Sequence, residues 1–229
     1  MSTARTRGRT GTRTRRTNGA PLTEQAYHLL EEKIVTLQLE PGEFLSEYAL
    51  VSQLRLGRTP IREALQRLAR EGLVLILPRK GILVSPADPE KQLLVLEVRR
   101  ELERLLCRSA AQRATPQQLV RLREIAKGMD VAAKANDDLA FMRLDRDLNL
   151  LVIDAAHNEY ASRAMRLLQG LSRRFWYQHY QTAADLPHCA RLHAAQARAI
   201  ADGNPDKAAQ TCDALMDYVE TFTRAAADN

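Results

Sequence analysis

Residues 55–86 hold seven basic side chains, Arg55, Arg58, Arg62, Arg67, Arg70, Arg79 and Lys80, against Glu63 and Glu71 alone. Arg58 and Arg62 stand four residues apart, one turn of a helix, and Thr59 lies beside the first of them. A guanidinium is a planar fork that bonds a guanine edge bidentately, and the first turn of a helix offers free N–H groups to a phosphate. Arg79, Lys80 and Gly81 make a second basic group just after Pro78. The chemistry these residues suit is recognition of double-stranded DNA, with Arg55, Arg58, Thr59, Arg62, Arg67, Arg79, Lys80 and Gly81 as candidate contacts. A basic helix that merely solvates its arginines would carry the same residue types. What separates the two readings is whether a whole reading module surrounds them.

The surrounding pattern predicts one. Apolar residues at Ala26, Leu29, Leu30, Ile34 and Leu37 follow Thr23, a suitable N-cap, and Pro41-Gly42 closes that helix. A short helix spans about 46–54. The next starts at Thr59-Pro60, buries Ile61, Ala64, Leu65, Leu68 and Ala69 on one face, and stops at Glu71-Gly72. The runs 73–77 and 82–84, parted by Pro78-Arg79-Lys80-Gly81, read as a β-hairpin. Three helices and a hairpin make a winged helix-turn-helix over residues 22–85, with a proline-flanked linker at 86–89. Charge within this unit is polarised: residues 22–54 have only Lys33 against six glutamates, so the basic half forms one defined face.

From residue 90 the chain reads as helix throughout, in segments 90–113, 116–135, 138–156, 159–182, 188–202 and 205–226 separated by Thr-Pro, Asn-Asp, His-Asn, Leu-Pro and Gly-Asn-Pro breaks. The fold class expected is mainly α, a winged domain followed by a six-helix bundle over 90–229. Residues 1–21 carry six arginines and no acid, which equals the whole net charge of +6, and read as a disordered basic tail. No apolar run is long enough to cross a bilayer, and the tail lacks the apolar segment of a secretory signal. The three cysteines form neither a disulfide framework nor a zinc motif, so a reducing cytoplasm is the expected setting. No nucleophile–base spacing or phosphate-cradling glycine loop stands out, and no enzyme is expected.

The run Pro41-Gly42-Glu43-Phe44-Leu45-Ser46-Glu47, then Arg58-Thr59-Pro60-Ile61-Arg62-Glu63-Ala64-Leu65, Leu68, Glu71-Gly72-Leu73 and Gly81, resembles the winged helix-turn-helix of the gluconate-repressor (GntR) family. That family has Gly-Val-Ser before the first arginine, where this chain has Arg55-Leu56-Gly57, so a left-handed turn position would carry a side chain and the helix cap would lose its hydroxyl.

Arg99, Glu103, Asp145, Leu148, Ala155-Ala156, Asn158, His193 and Ala199-Ile200 resemble the FCD effector domain of the FadR-like branch. That resemblance implies a small carboxylate ligand and, in many such domains, a divalent metal such as Zn, Ni or Mn held by one aspartate and three histidines. Asp145 and His193 match ligand positions, but Asn149 and Leu215 stand where two histidines are expected. Asp145, Asn149 and His193 are therefore the candidate metal ligands of a depleted site, or else a satisfied polar network in a metal-free pocket. Arg99 is the candidate carboxylate partner, and a structural pair with Glu103 at i, i+4 is its alternative. Arg174, beside the single Trp176, is a candidate cationic wall, against the commoner packed helix with snorkelling arginines. The whole predicts a homodimeric, ligand-responsive repressor binding a DNA operator and a small organic acid. Its rivals are an architectural DNA binder driven by the tail and a metal-dependent enzyme in the bundle.

Overall fold

The computed structural model describes residues 22–227. The expectation of a disordered tail over 1–21 lies outside the described residues. The winged unit runs α1 (Leu22–Val35), β1 (Phe44–Leu45), α2 (Glu47–Leu54), α3 (Arg58–Arg70), β2 (Val74–Leu77) and β3 (Gly81–Val84), its strands forming a small antiparallel sheet in the order β1-β3-β2. Helices α4 (Pro89–Arg113), α5 (Pro116–Ala135), α6 (Asp138–Ala155), α7 (Glu159–Ala183), α8 (Leu186–Ala201) and α9 (Pro205–Ala227) complete the chain. The fold is the expected winged helix-turn-helix plus an all-helical bundle.

The elements start where short polar side chains can satisfy free N–H groups. Ser46 caps α2, Asp88 caps α4, Thr115 and Gln118 form a capping box on α5, and Asp137, Asn158 and Asp185 cap α6, α7 and α8. Four local readings need correction. Thr23 does not cap: it lies within α1 and its hydroxyl donates to Glu63. Leu37 is not on the buried stripe, because α1 ends at Val35 and Leu37 takes φ 58°. Helix α3 begins at Arg58, not Thr59-Pro60, with Gly57 as a cap that supplies no side-chain bond. The hairpin is also joined by a third strand, Phe44–Leu45, opposite Leu83 and Ile82. Two residues are too few to show alternation; Gly42, at φ 85°, turns the chain onto β3.

Two hydrophobic cores result. The first gathers Leu30, Ile34, Ile61, Leu65, Leu68, Leu73 and Ile82 of the winged unit, and the second gathers Leu106, Leu122, Ile125, Met129, Leu148 and Met165 of the bundle. Helix α7 bridges them. Leu171 packs on the winged core, and Gly170 admits Leu73 so closely that a Cβ there would lie 2.7 Å from a Leu73 methyl.

Candidate functional site

On the winged domain the exposed basic residues cluster at the start of α3 and the hairpin tip. Arg55, Arg58, Thr59, Arg62, Arg79, Lys80 and Gly81 are all solvent-exposed. Arg62 is steadied by Glu47, 2.9 Å away. Arg55 closes α2 in the left-handed region (φ 53°, ψ 35°), as the departure from glycine implied, and Arg79 at the wing tip has φ 63°. An L-residue held there costs about 1–2 kcal/mol.

Arg67 leaves the group. Its guanidinium lies 3.5 Å from the Tyr27 ring centroid and pairs with Glu24 and Glu71, each at 3.1 Å. Burial raises the Glu71 pKa, with the Tyr27 and Arg67 hydrogen bonds pulling against it. Five residues after Arg62, Arg67 points about 140° around the helix from it, toward α1 rather than outward. The glutamate four residues on, Glu71, was the sequence signal for this inward pairing.

The bundle holds a partly open cavity of about 60 Å³. Its apolar wall is Phe141, Met142, Phe175, Trp176, Leu215, Met216, Val219 and Phe222; its polar wall includes Gln92, Arg99, Glu103, Asp145, Asn149, Gln169, Ser172, Arg173, Cys189 and His193. Four of the five candidate ligand residues thus converge on one space. Arg174 does not. It is 3% exposed and donates to the Ser85 and Pro86 carbonyls at 2.7 and 3.3 Å, so it clasps the interdomain linker. Burial brings its pKa down to about 10, which leaves it charged at neutral pH. Of the two arginines next to Trp176 it is Arg173, not Arg174, that lines the cavity; adjacent helical residues point about 100° apart, and only packing decides which one faces the bundle.

Every charge in the cavity has a partner of opposite sign. Arg99 donates to Glu103 one turn on, so the pairing expected as an alternative and the cavity position both hold. Arg173 donates to Glu31 of α1 at 2.6 Å. His193 Nε2 lies 3.1 Å from Asp145, and its Nδ1 lies 2.9 Å from the Cys189 carbonyl. Both ring nitrogens face acceptors, an arrangement that the imidazolium satisfies. Burial alone would lower the His193 pKa, but Cys189 and the Asp145 carboxylate raise it well above its ordinary value. Burial would likewise raise Asp145, yet the His193 bond and charge, with Arg173 and Arg99, hold it below the ordinary carboxylate range. Three buried donors lining this space, Arg99 Nε, Arg173 Nε and Trp176 Nε1, have no acceptor among the described residues.

This donor set does not fit a divalent metal. A metal needs lone pairs aimed at one point. Here Asn149 turns its Nδ2 toward Asp145 at 2.9 Å, His193 turns Nε2 to the same carboxylate, and Leu215 supplies a hydrocarbon where another ligand would stand. The three nominated ligands meet as a closed hydrogen-bonded set.

A second partly open cavity, also of about 60 Å³, lies at the domain junction, with Tyr27, Glu31 and Arg67 on the winged side and Arg146, Arg166 and Arg173 on the bundle side. Arg173 lines both spaces.

A winged helix-turn-helix joined to a helical bundle is the fold of a class of DNA-binding proteins. Comparison with known proteins is more specific. Residues 22–84 match the bacterial regulatory proteins of the gntR family, and residues 94–218 match the FCD domain. The chain belongs to the GntR-type regulators that carry an FCD domain. Among its relatives, the Nta operon transcriptional regulator of Aminobacter aminovorans is 30% identical over 132 residues, 58% of this chain and 62% of that protein. The HTH-type transcriptional repressor RspR of Escherichia coli K12 is 25% identical over 173 residues, 76% of each chain. The match thus spans less than two thirds of the Nta regulator's length. The solved structure of E. coli McbR/YncC shares the fold at a TM-score of 0.75 and 21% identity, over 87% of this chain and 95% of that one. No helix among the described residues is long and apolar enough to cross a membrane.

Proposed function

We propose that the chain is a ligand-responsive, sequence-specific transcription regulator that acts as a homodimer in the cytoplasm. Each subunit would lay α3 in a major groove of a short palindromic operator, with Arg58 and Arg62 on base edges or phosphates and Arg79-Lys80-Gly81 on the neighbouring groove or backbone. Self-association is supported by an exposed apolar stripe on α4, Leu94, Val98 and Leu105, whose spacing keeps one helix face. The bundle cavity takes a small organic acid without a metal and relieves repression when filled. One observation carries the ligand class: Arg99, Arg173 and Trp176, each with a buried donor that has no acceptor among the described residues, line a cavity that also has an apolar side of Phe141, Phe175, Leu215 and Phe222. A carboxylate on a short carbon skeleton supplies acceptors for the first and apolar surface for the second.

The test has two arms. Selection of bound fragments from a genomic library at physiological salt is expected to return one palindromic motif. A chain lacking residues 1–21 is expected to keep that motif while its log–log salt slope falls by up to about 5, the share of six arginines releasing counterions. Loss of all binding on that truncation would favour an architectural, tail-driven binder instead. In the second arm, protein loaded with Zn²⁺, Ni²⁺ or Mn²⁺ and then desalted is expected to retain far less than one metal per chain by elemental analysis. Stoichiometric retention would overturn the metal-free reading.

A further inference from the structure

Three ion pairs involve cationic residues that line the cavity, and they are not equivalent. Arg99–Glu103 joins two residues of α4, and His193–Asp145 joins α8 to α6, so both lie wholly within the bundle. Arg173–Glu31 is the one that crosses from the bundle to the winged domain, α7 to α1. Both partners are largely withdrawn from solvent, with side chains 19% and 9% exposed, so the pair is poorly screened and neither charge is readily left alone. Arg173 also lines the effector cavity and still has a buried donor, Nε, without an acceptor.

We propose that a ligand carboxylate and Glu31 compete for Arg173, so that filling the cavity breaks the charged tie between α1 and α7 and loosens the winged domain, which α7 then holds through Leu171 and the Gly170–Leu73 contact. This rests on the reading of the cavity as a carboxylate site and adds how that site is heard at the DNA. An entering carboxylate that engages Arg173 duplicates the charge Glu31 already supplies, and two carboxylates on one guanidinium repel each other. Arg99 and His193 can take a ligand without any effect on the winged domain, because their partners stay in the bundle. The neighbouring contacts make the response a pivot rather than a detachment. Arg174 continues to clasp the Ser85 and Pro86 carbonyls, and Ser172 stays bonded to Gln92 at 3.0 Å, so α7 remains fixed to the linker and α4 while its charged tie to α1 breaks. By linkage, whatever weakens the Glu31 pair must tighten ligand binding by the same factor.

Trp176 is the single tryptophan and lines the cavity, so its fluorescence reports occupancy in the full-length protein. Titrations with lactate, succinate and citrate would be run on the wild type, Glu31→Gln, Arg173→Gln, the double variant and Arg99→Met, with melting curves to confirm folding. For an acid that binds the wild type, Glu31→Gln is expected to bind about 5- to 50-fold tighter, within the usual range of such couplings. Arg173→Gln is expected to bind more weakly, and adding Glu31→Gln to it should change affinity by less than about twofold, since the competitor no longer has a shared partner. Unchanged or weaker binding by folded Glu31→Gln, or an equal gain in the Arg173→Gln background, overturns the competition. If Arg99→Met abolishes binding while Glu31→Gln is neutral, the competition alone falls and the carboxylate site stands. If no acid perturbs Trp176 in the wild type at millimolar concentration, the carboxylate reading falls and takes the competition with it.

Discussion

Arg58→Ala is expected to weaken binding to the selected operator by roughly 10- to 100-fold, because a bidentate arginine–guanine contact discriminates by about 1–3 kcal/mol. Arg58 is the first residue of α3, is exposed, and has no ion-pair partner among the described residues. Nothing inside the protein is lost when its side chain goes, so the loss belongs to the complex. Competition binding against single-base variants of the operator identifies the contact. A base contact relaxes preference at one position of each half-site, whereas a phosphate contact weakens all sequences alike and lowers the salt slope by about one. Unaltered affinity and unaltered preference would remove α3 as the reading helix. Arg67 is the informative control: with its guanidinium stacked on Tyr27 and paired to Glu24 and Glu71, its removal should lower the melting temperature instead.

Arg99→Met is expected to cost about 3–5 kcal/mol of stability, because it leaves Glu103 buried without its cation. The lower end is favoured here, since the two side chains retain 13% and 10% exposure. Replacing both, as Arg99→Met with Glu103→Leu, should recover most of that loss, because an apolar pair of similar volume avoids the desolvation of two charges. The double variant separates two roles the single variant mixes. Denaturant midpoints should return toward the wild-type value while the Trp176 response to organic acids stays absent. A double variant that is stable and still binds acid like the wild type would show that Arg99 serves only Glu103.

The reading head was legible in the sequence because its information is local. Arg58-Thr59-Pro60 and Glu71-Gly72 bracket α3, and the apolar residues between them fall on one face within a single helix. The six bundle helices were legible for the same reason, through the Thr115-Pro116 and His157-Asn158 breaks, although α8 starts at Leu186, two residues before the expected 188, because Asp185 caps it and Pro187 fits its first turn. Strand β1 was missed because a two-residue strand exists only through pairing with Leu83 and Ile82, which lie far along the chain. In the cavity, Asp145, Asn149 and His193 were rightly grouped, but their resemblance to metal ligands did not reveal that their polar atoms face one another.

The amino-acid sequence by itself determined the architecture and the basic half of the winged domain, since helix periodicity, caps and charge spacing act over a few residues. The tertiary structure alone decided which cation does what. Arg173 and Arg174 are neighbours with the same chemistry, yet the helical turn sends one to the cavity and Glu31 and the other to the linker carbonyls. Arg58 and Arg67 lie on one helix, yet packing against α1 exposes the first and encloses the second. An arginine's function depends on which acceptor its guanidinium meets, and for Arg173, Arg174 and Arg67 those acceptors are brought near only when the two domains and their helices pack.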